Sequence, residues 1–226
     1  MANTPIGIAV TELDCIHDTS EAFNDEPYVV VLAVDLRPDV PGHTLASFPK
    51  LALTLSGAWS TTDGDVRGTA PLPPGLPDGA LDAIPGIVWR RHCWGLTSTA
   101  EPIAQPSDVM ILVAVMENDD AALSNVRGLG TATLTGTLAG KLNIQGMTRT
   151  TLVKQMRAAM DDALPAVAQA FPSSDDEVGV TQELVLTARD LAKARVSTIA
   201  KQLNFGTPSG SDGRGTYRVI MELSPH

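Results

Sequence analysis

Val109-Met-Ile-Leu-Val-Ala-Val-Met116 is an unbroken apolar run that passes directly into Glu117-Asn-Asp-Asp120. A run of this length, rich in β-branched residues, reads as a fully buried strand. It is the strongest strand signal in the chain. A second run, Val29 to Val34, belongs to a strand expected over 27–36. Nearly all Val and Leu, that strand is expected to be central or buried on both faces.

Weaker signals surround these two. Residues 6–16 alternate loosely between apolar and polar, as a strand does. Leu51 to Trp59, Ile87 to Trp94 and Glu183 to Thr187 read as further strands, and Thr216 to Leu223 as an alternating final one. For residues 181–203 one continuous helix competes with a strand followed by a short helix over 188–193. The stretch from Pro38 to Gly86 is rich in Pro and Gly. Its segment Ala70 to Gly79 cannot be a regular helix or central strand, because proline lacks the donor both require. Asp63-Gly-Asp65 reads as a tight turn, and residues 17–26 as an acidic loop.

One segment has a different period. Leu152, Val153, Met156, Met160, Ala163 and Leu164 recur at three- and four-residue spacing, with Lys154, Arg157, Asp161 and Asp162 largely opposite. This is an amphipathic helix over 150–164, with Thr148 or Thr150 as its cap and Pro165 expected to kink or end it. Its stripe is expected to pack on the parent sheets, with a partner-binding face as the alternative. Residues 128–146 carry no firm assignment. Strands dominate, lie far apart and are punctuated by turns. The expected fold is mainly β: an antiparallel β-sandwich forming one domain over 1–226, with a helical insertion at about 148–171.

Composition narrows the function. The 226 residues are ample to bury a core. The net charge of −10 excludes a general nucleic-acid binder, which needs Lys and Arg to displace counterions from phosphates. It also excludes direct attraction to anionic lipid, so membrane contact is expected only through a bound cation. The two cysteines, Cys15 and Cys93, fit no zinc-site spacing and read as buried thiols, with one disulfide as the alternative. No signal-length apolar leader and no membrane-length run occur. The expectation is a cytoplasmic protein, or one exported without a classical signal peptide.

Acidity is concentrated. Glu12, Asp14, Asp18, Glu21, Asp25, Glu26 and Asp35 precede the first basic residue, Arg37. Three acidic patches, at 14–26, 117–120 and 175–177, flank expected strands. If those strand ends gather at one edge, the carboxylates converge there. Calcium would relieve their repulsion, since it takes roughly six to eight oxygens at about 2.3–2.6 Å in loose geometry. Without metal, such a cluster raises some of its own pKa values. The other reading of these acids is solvated loop charge.

The pattern of a Cys-bearing first strand, an Asp18-Thr-Ser-Glu21 loop, and Asp25-Glu-Pro-Tyr28 opening an apolar strand resembles a group of bacterial calcium/lipid-binding-like β-sandwiches. These are distantly similar to synaptotagmin-type sandwiches. Val113 to Asp120 resembles that group's strand entering an acidic loop. Asp175-Asp-Glu-Val-Gly179 resembles its Asp-Asp-x-Ile-Gly step, and Leu203-Asn-Phe with Tyr217 to Leu223 its closing strands. The resemblance implies a cation site at Asp18, Asp25, Glu26, Glu117, Asp119, Asp175 and Asp176, with Ca2+ as the bound ion. The helix at 150–164 departs from that group, which has only a loop there.

Other chemistry is less well signalled. His17, His43 and His92, with Ser20, Ser56 and Ser60, fit no nucleophile motif. Gly128-Leu-Gly130 lacks the lysine and strand–helix context of a phosphate loop. Trp59, Trp89 and Trp94 read as core before carbohydrate platform. The sequence is therefore read as a non-enzymatic binding or assembly module that takes calcium and engages a protein partner or a second copy. The alternatives are a metal-independent structural or oligomer-forming protein and a divalent-metal-dependent hydrolase.

Overall fold

The computed structural model describes residues 6–19, 27–36, 50–55, 66–68, 104–117, 132–134, 136–138, 140–141, 147–168, 178–206 and 214–225. They are mostly strands in two antiparallel sheets, with a few helices. In chain order the elements are β1 (Ile6–Thr19), β2 (Pro27–Asp35), β3 (Lys50–Leu55), β4 (Val66–Gly68), β5 (Val109–Glu117), helix α1 (Arg149–Ala168), β6 (Gln182–Glu183), helix α2 (Ala188–Ala194), β7 (Ile199–Gly206) and β8 (Arg214–Pro225). One sheet has the order β4-β1-β8-β7, the other β3-β2-β5-β6.

The two apolar runs pair with each other. β2 and β5 keep an unbroken register from Pro27 opposite Glu117 to Asp35 opposite Val109. Their alternate residues enter different cores. Val29, Val31, Ile111, Val113 and Val115 join one buried cluster with Ile8 and Leu13 of β1 and Tyr217 and Val219 of β8. Val30, Leu32, Met110, Leu112 and Met116 join a second cluster with Leu152, Met156, Met160 and Leu164 of α1. Both faces of the β2–β5 pair are thus buried, which is why neither strand shows polar alternation.

β1 explains its own loose pattern. Ile6, Ile8 and Val10 are buried, and then the parity changes to Leu13 and Cys15. The register against β8 shifts between Val10 and Glu12, leaving Thr11 as the extra residue of a β-bulge. The Thr11 hydroxyl donates to the Ile220 carbonyl at 3.5 Å. One inserted residue exchanges the two faces of everything that follows.

Several expected boundaries move. β1 continues to Thr19, so His17 to Thr19 belong to a strand rather than the acidic loop. Helix α1 runs from Arg149 through Pro165 to Ala168. Proline there removes the one N–H that would reach the Asp161 carbonyl, a modest loss when only three residues follow. Thr148 is the cap: its Oγ accepts from the Thr151 N–H at 3.2 Å. The stripe of Leu152, Val153, Met156, Met160, Ala163 and Leu164 is buried as expected. The strand expected over 183–187 shrinks to Gln182–Glu183, and α2 follows it, so the continuous 181–203 helix is not formed. Thr187 stops it, forming a capping box with Asp190 at the start of α2. Part of 128–146 is helical, burying Leu134 and Leu138. The expected strand at 87–94, the turn at 63–65, residues 56–59 of the 51–59 strand and Cys93 lie outside the described residues. Cys15 is buried.

Candidate functional site

The strand ends that border the acidic patches lie at one end of the two sheets. In the second sheet, Pro27 opens β2 opposite Glu117, the last residue of β5. Beside them the Val178 N–H donates to the Val115 carbonyl at 2.9 Å. In the first sheet, the end of β1 pairs with the start of β8, His17 opposite Thr216 and Thr19 opposite Arg214. Gly206, the last residue of β7, is also opposite Thr216.

A glycine contact joins these two sets of ends. A side chain built on Gly179 would place its Cβ 2.6 Å from the Gly206 nitrogen. Gly179 has φ of 76° and Gly206 of 80°, a backbone region that glycine alone enters freely. The two sheets approach here more closely than any side chain allows. A further link is the hydrogen bond from the Gln182 side-chain amide to the Asn204 carbonyl.

The sequence-derived ligand residues stand as follows. Asp18 is the penultimate residue of β1 and Glu117 the last of β5; both are placed by their backbone. Asp25, Glu26, Asp119, Asp175 and Asp176 lie outside the described residues, as chain neighbours of Pro27, Glu117 and Val178. Among the described residues, no three His, Cys, Asp or Glu side chains come together in a way that would hold a metal ion. His17 is half-buried near the end of β1, while His43, His92 and the three tryptophans lie outside the described residues.

The described side chains form four charged arrangements that the sequence did not reveal. Asp14, buried on β1, accepts from both Nε and Nη2 of Arg218, its register partner on β8. Arg149 at the start of α1 reaches Glu183 at 2.5 Å and the Val109 carbonyl at 2.8 Å. One and a half turns further on, Arg157 Nε donates to the Thr181 carbonyl at 2.7 Å. Asp161, four residues along, accepts from the Thr181 N–H at 2.7 Å. These two side chains supply the donor and acceptor that a neighbouring strand would offer, so they cover the edge of the second sheet beside β6. Lys201 of β7 meets Asp190 of α2 at 2.8 Å. Burial pushes the Asp190 carboxyl up, but hydrogen bonds from Lys201 and Thr187 outweigh it and hold the pKa below the ordinary aspartate value.

An open groove of about 440 Å³ runs between α1 and the 178–183 segment. Lys154, Arg157, Asp161 and Glu183 put both signs of charge on its walls, with Val153 and Val180 between them. No helix among the described residues is long and apolar enough to cross a membrane. No protein-family model, no curated protein and no solved structure matches the chain.

Proposed function

We propose that this chain is a non-enzymatic binding or assembly module, built on an antiparallel β-sandwich, that takes calcium through acidic loops at one end. The observation that carries the reading is the gathering of strand ends. The end of β1, the start of β2, the end of β5 and the Val178–Gly179 step stand together, and each is the chain neighbour of an acidic patch. Loops leaving such an end supply oxygen ligands from separated parts of the sequence, which suits the flexible coordination of calcium. The sandwich is supported by the buried cluster that takes one face from each sheet. The resemblance to calcium/lipid-binding-like sandwiches belongs to this same proposal. So do a protein partner or second copy as the target and a membrane reached only through the bound cation.

A thermal melt tests the reading. In protein stripped of metal, millimolar calcium should raise the melting temperature and chelator should reverse the rise. A site half-saturated at tens of micromolar gains roughly 2–3 kcal/mol at millimolar ion by mass action. Changing Asp25→Asn together with Glu26→Gln should remove most of the shift. A melting temperature indifferent to calcium in demonstrably metal-free protein refutes the proposal. A large native mass with no calcium effect would favour the structural alternative, and turnover of a phosphodiester or glycan panel the hydrolase.

A further inference from the structure

Just beyond the bulge at Thr11, β1 carries Glu12 and Asp14 two residues apart and therefore on the same face of its sheet. Asp14 is 2% exposed. Arg218 donates twice to its Oδ2, but Oδ1 accepts no hydrogen bond among the described residues. A carboxylate oxygen removed from water and given no donor is costly. The surroundings limit what can supply one. On β8, Arg218 is committed to Oδ2, Ile220 stands opposite Glu12, and Glu222 adds a third carboxyl. On β4, Val66 stands opposite Asp14 and Gly68 opposite Glu12, and neither ionises. Three carboxyls thus share one guanidinium, and the group placed to serve Oδ1 is Glu12. As a carboxylate it has nothing to donate; as a carboxylic acid it has one O–H.

We propose that Glu12 and Asp14 share a single proton, carried by Glu12 and donated to the orphaned Asp14 oxygen. The pair is a pH-responsive latch at the point where β1 is held between β4 and β8. The electrostatics agree. The Glu12 carboxyl is held above its ordinary pKa, first by its hydrogen bond with Asp14, then by burial and by the Asp14 charge, with Glu222 adding to the rise and Arg218 opposing it. A pKa raised in the folded state contributes stability that is complete below the unfolded value. That contribution is lost as pH rises through the folded value. Above it, two carboxylates face each other across Oδ1 and the latch loosens. β4 is the strand most affected, since three residue pairs are its whole register with β1.

The test compares Glu12→Gln and Glu12→Ala with wild type by denaturant unfolding at pH 7 and about pH 4. Glutamine is neutral at every pH and its amide can donate to Oδ1; alanine is neutral and cannot. At pH 7, Glu12→Gln should be more stable than wild type and than Glu12→Ala. At pH 4 its advantage over wild type should vanish. Equal stability of the two variants at pH 7 would reduce the effect to plain repulsion and overturn the shared proton. So would a glutamine advantage that does not change with pH. Carboxyl carbon-13 titration of the wild type is independent of how the variants fold. Glu12 should titrate above the ordinary glutamate range, and a normal midpoint overturns the proposal.

Discussion

Met156 is the residue at which the packing of α1 can be tested most directly. It is fully buried in the cluster that takes Val30 and Leu32 from β2, Met110, Leu112 and Met116 from β5, and Leu152 and Met160 from its own helix. Met156→Ala removes Cγ, Sδ and Cε from that layer. At roughly 0.8 kcal/mol for each buried methylene-sized group, the transfer loss is about 2.4 kcal/mol. The unfilled space adds a cavity cost, so the total should fall at about 3–4 kcal/mol, inside the range for buried Met→Ala changes. For a chain of this length that lowers the melting temperature by roughly 6–16 °C. Met156→Asp should cost more, because it buries a carboxylate among apolar side chains with no partner. Thermal and urea melts of both variants, with native mass measured alongside, provide the assay. A Met156→Ala protein that melts within a degree or two of wild type would refute the packing. Normal monomer stability with a fall in native mass would instead make the stripe an interface between molecules.

Asp161→Ala should cost about 1–3 kcal/mol, because it takes the acceptor from the N–H of the buried Thr181. Because the same change uncovers the sheet edge beside β6, light scattering should show more self-association than for wild type. The lowered pKa of Asp190 predicts a pH dependence of the opposite sign to that of Glu12. Its contribution is present above the unfolded aspartate value and is lost as pH falls through the folded one. Asp190→Asn should therefore be less stable than wild type at neutral pH and approach it in strongly acidic buffer; a gap that persists unchanged into acid would count against the ion pair.

Much of the local structure was legible because it depends on local periodicity. The apolar runs at 29–34 and 109–116 identified β2 and β5, and the spacing of Leu152, Met156, Met160 and Leu164 identified α1 together with its buried face. The alternation after Thr216 identified β8. Those patterns record which side of an element avoids water, and they survive in sequence because burial acts on each residue separately. The boundary at Pro165 was misread because the general cost of proline in a helix outweighs the small loss near a C-terminus. The 181–203 region stayed ambiguous until Thr187 and Asp190 settled where one element stops and another starts.

What only the tertiary structure decided depends on partners far away in the chain. β1 pairs with β8 across nearly the whole sequence, and no local pattern specifies that choice or the bulge at Thr11 that exchanges its faces. Asp14 and Arg218 are 204 positions apart, so nothing at either residue marked it as half of a buried ion pair. The acidic patches show the contrast from the other side. Sequence alone determined that many carboxylates crowd a few short segments, because charge is a property of composition. Which strand ends stand beside one another was fixed by register and by the Gly179–Gly206 approach, because proximity between distant segments is created by packing.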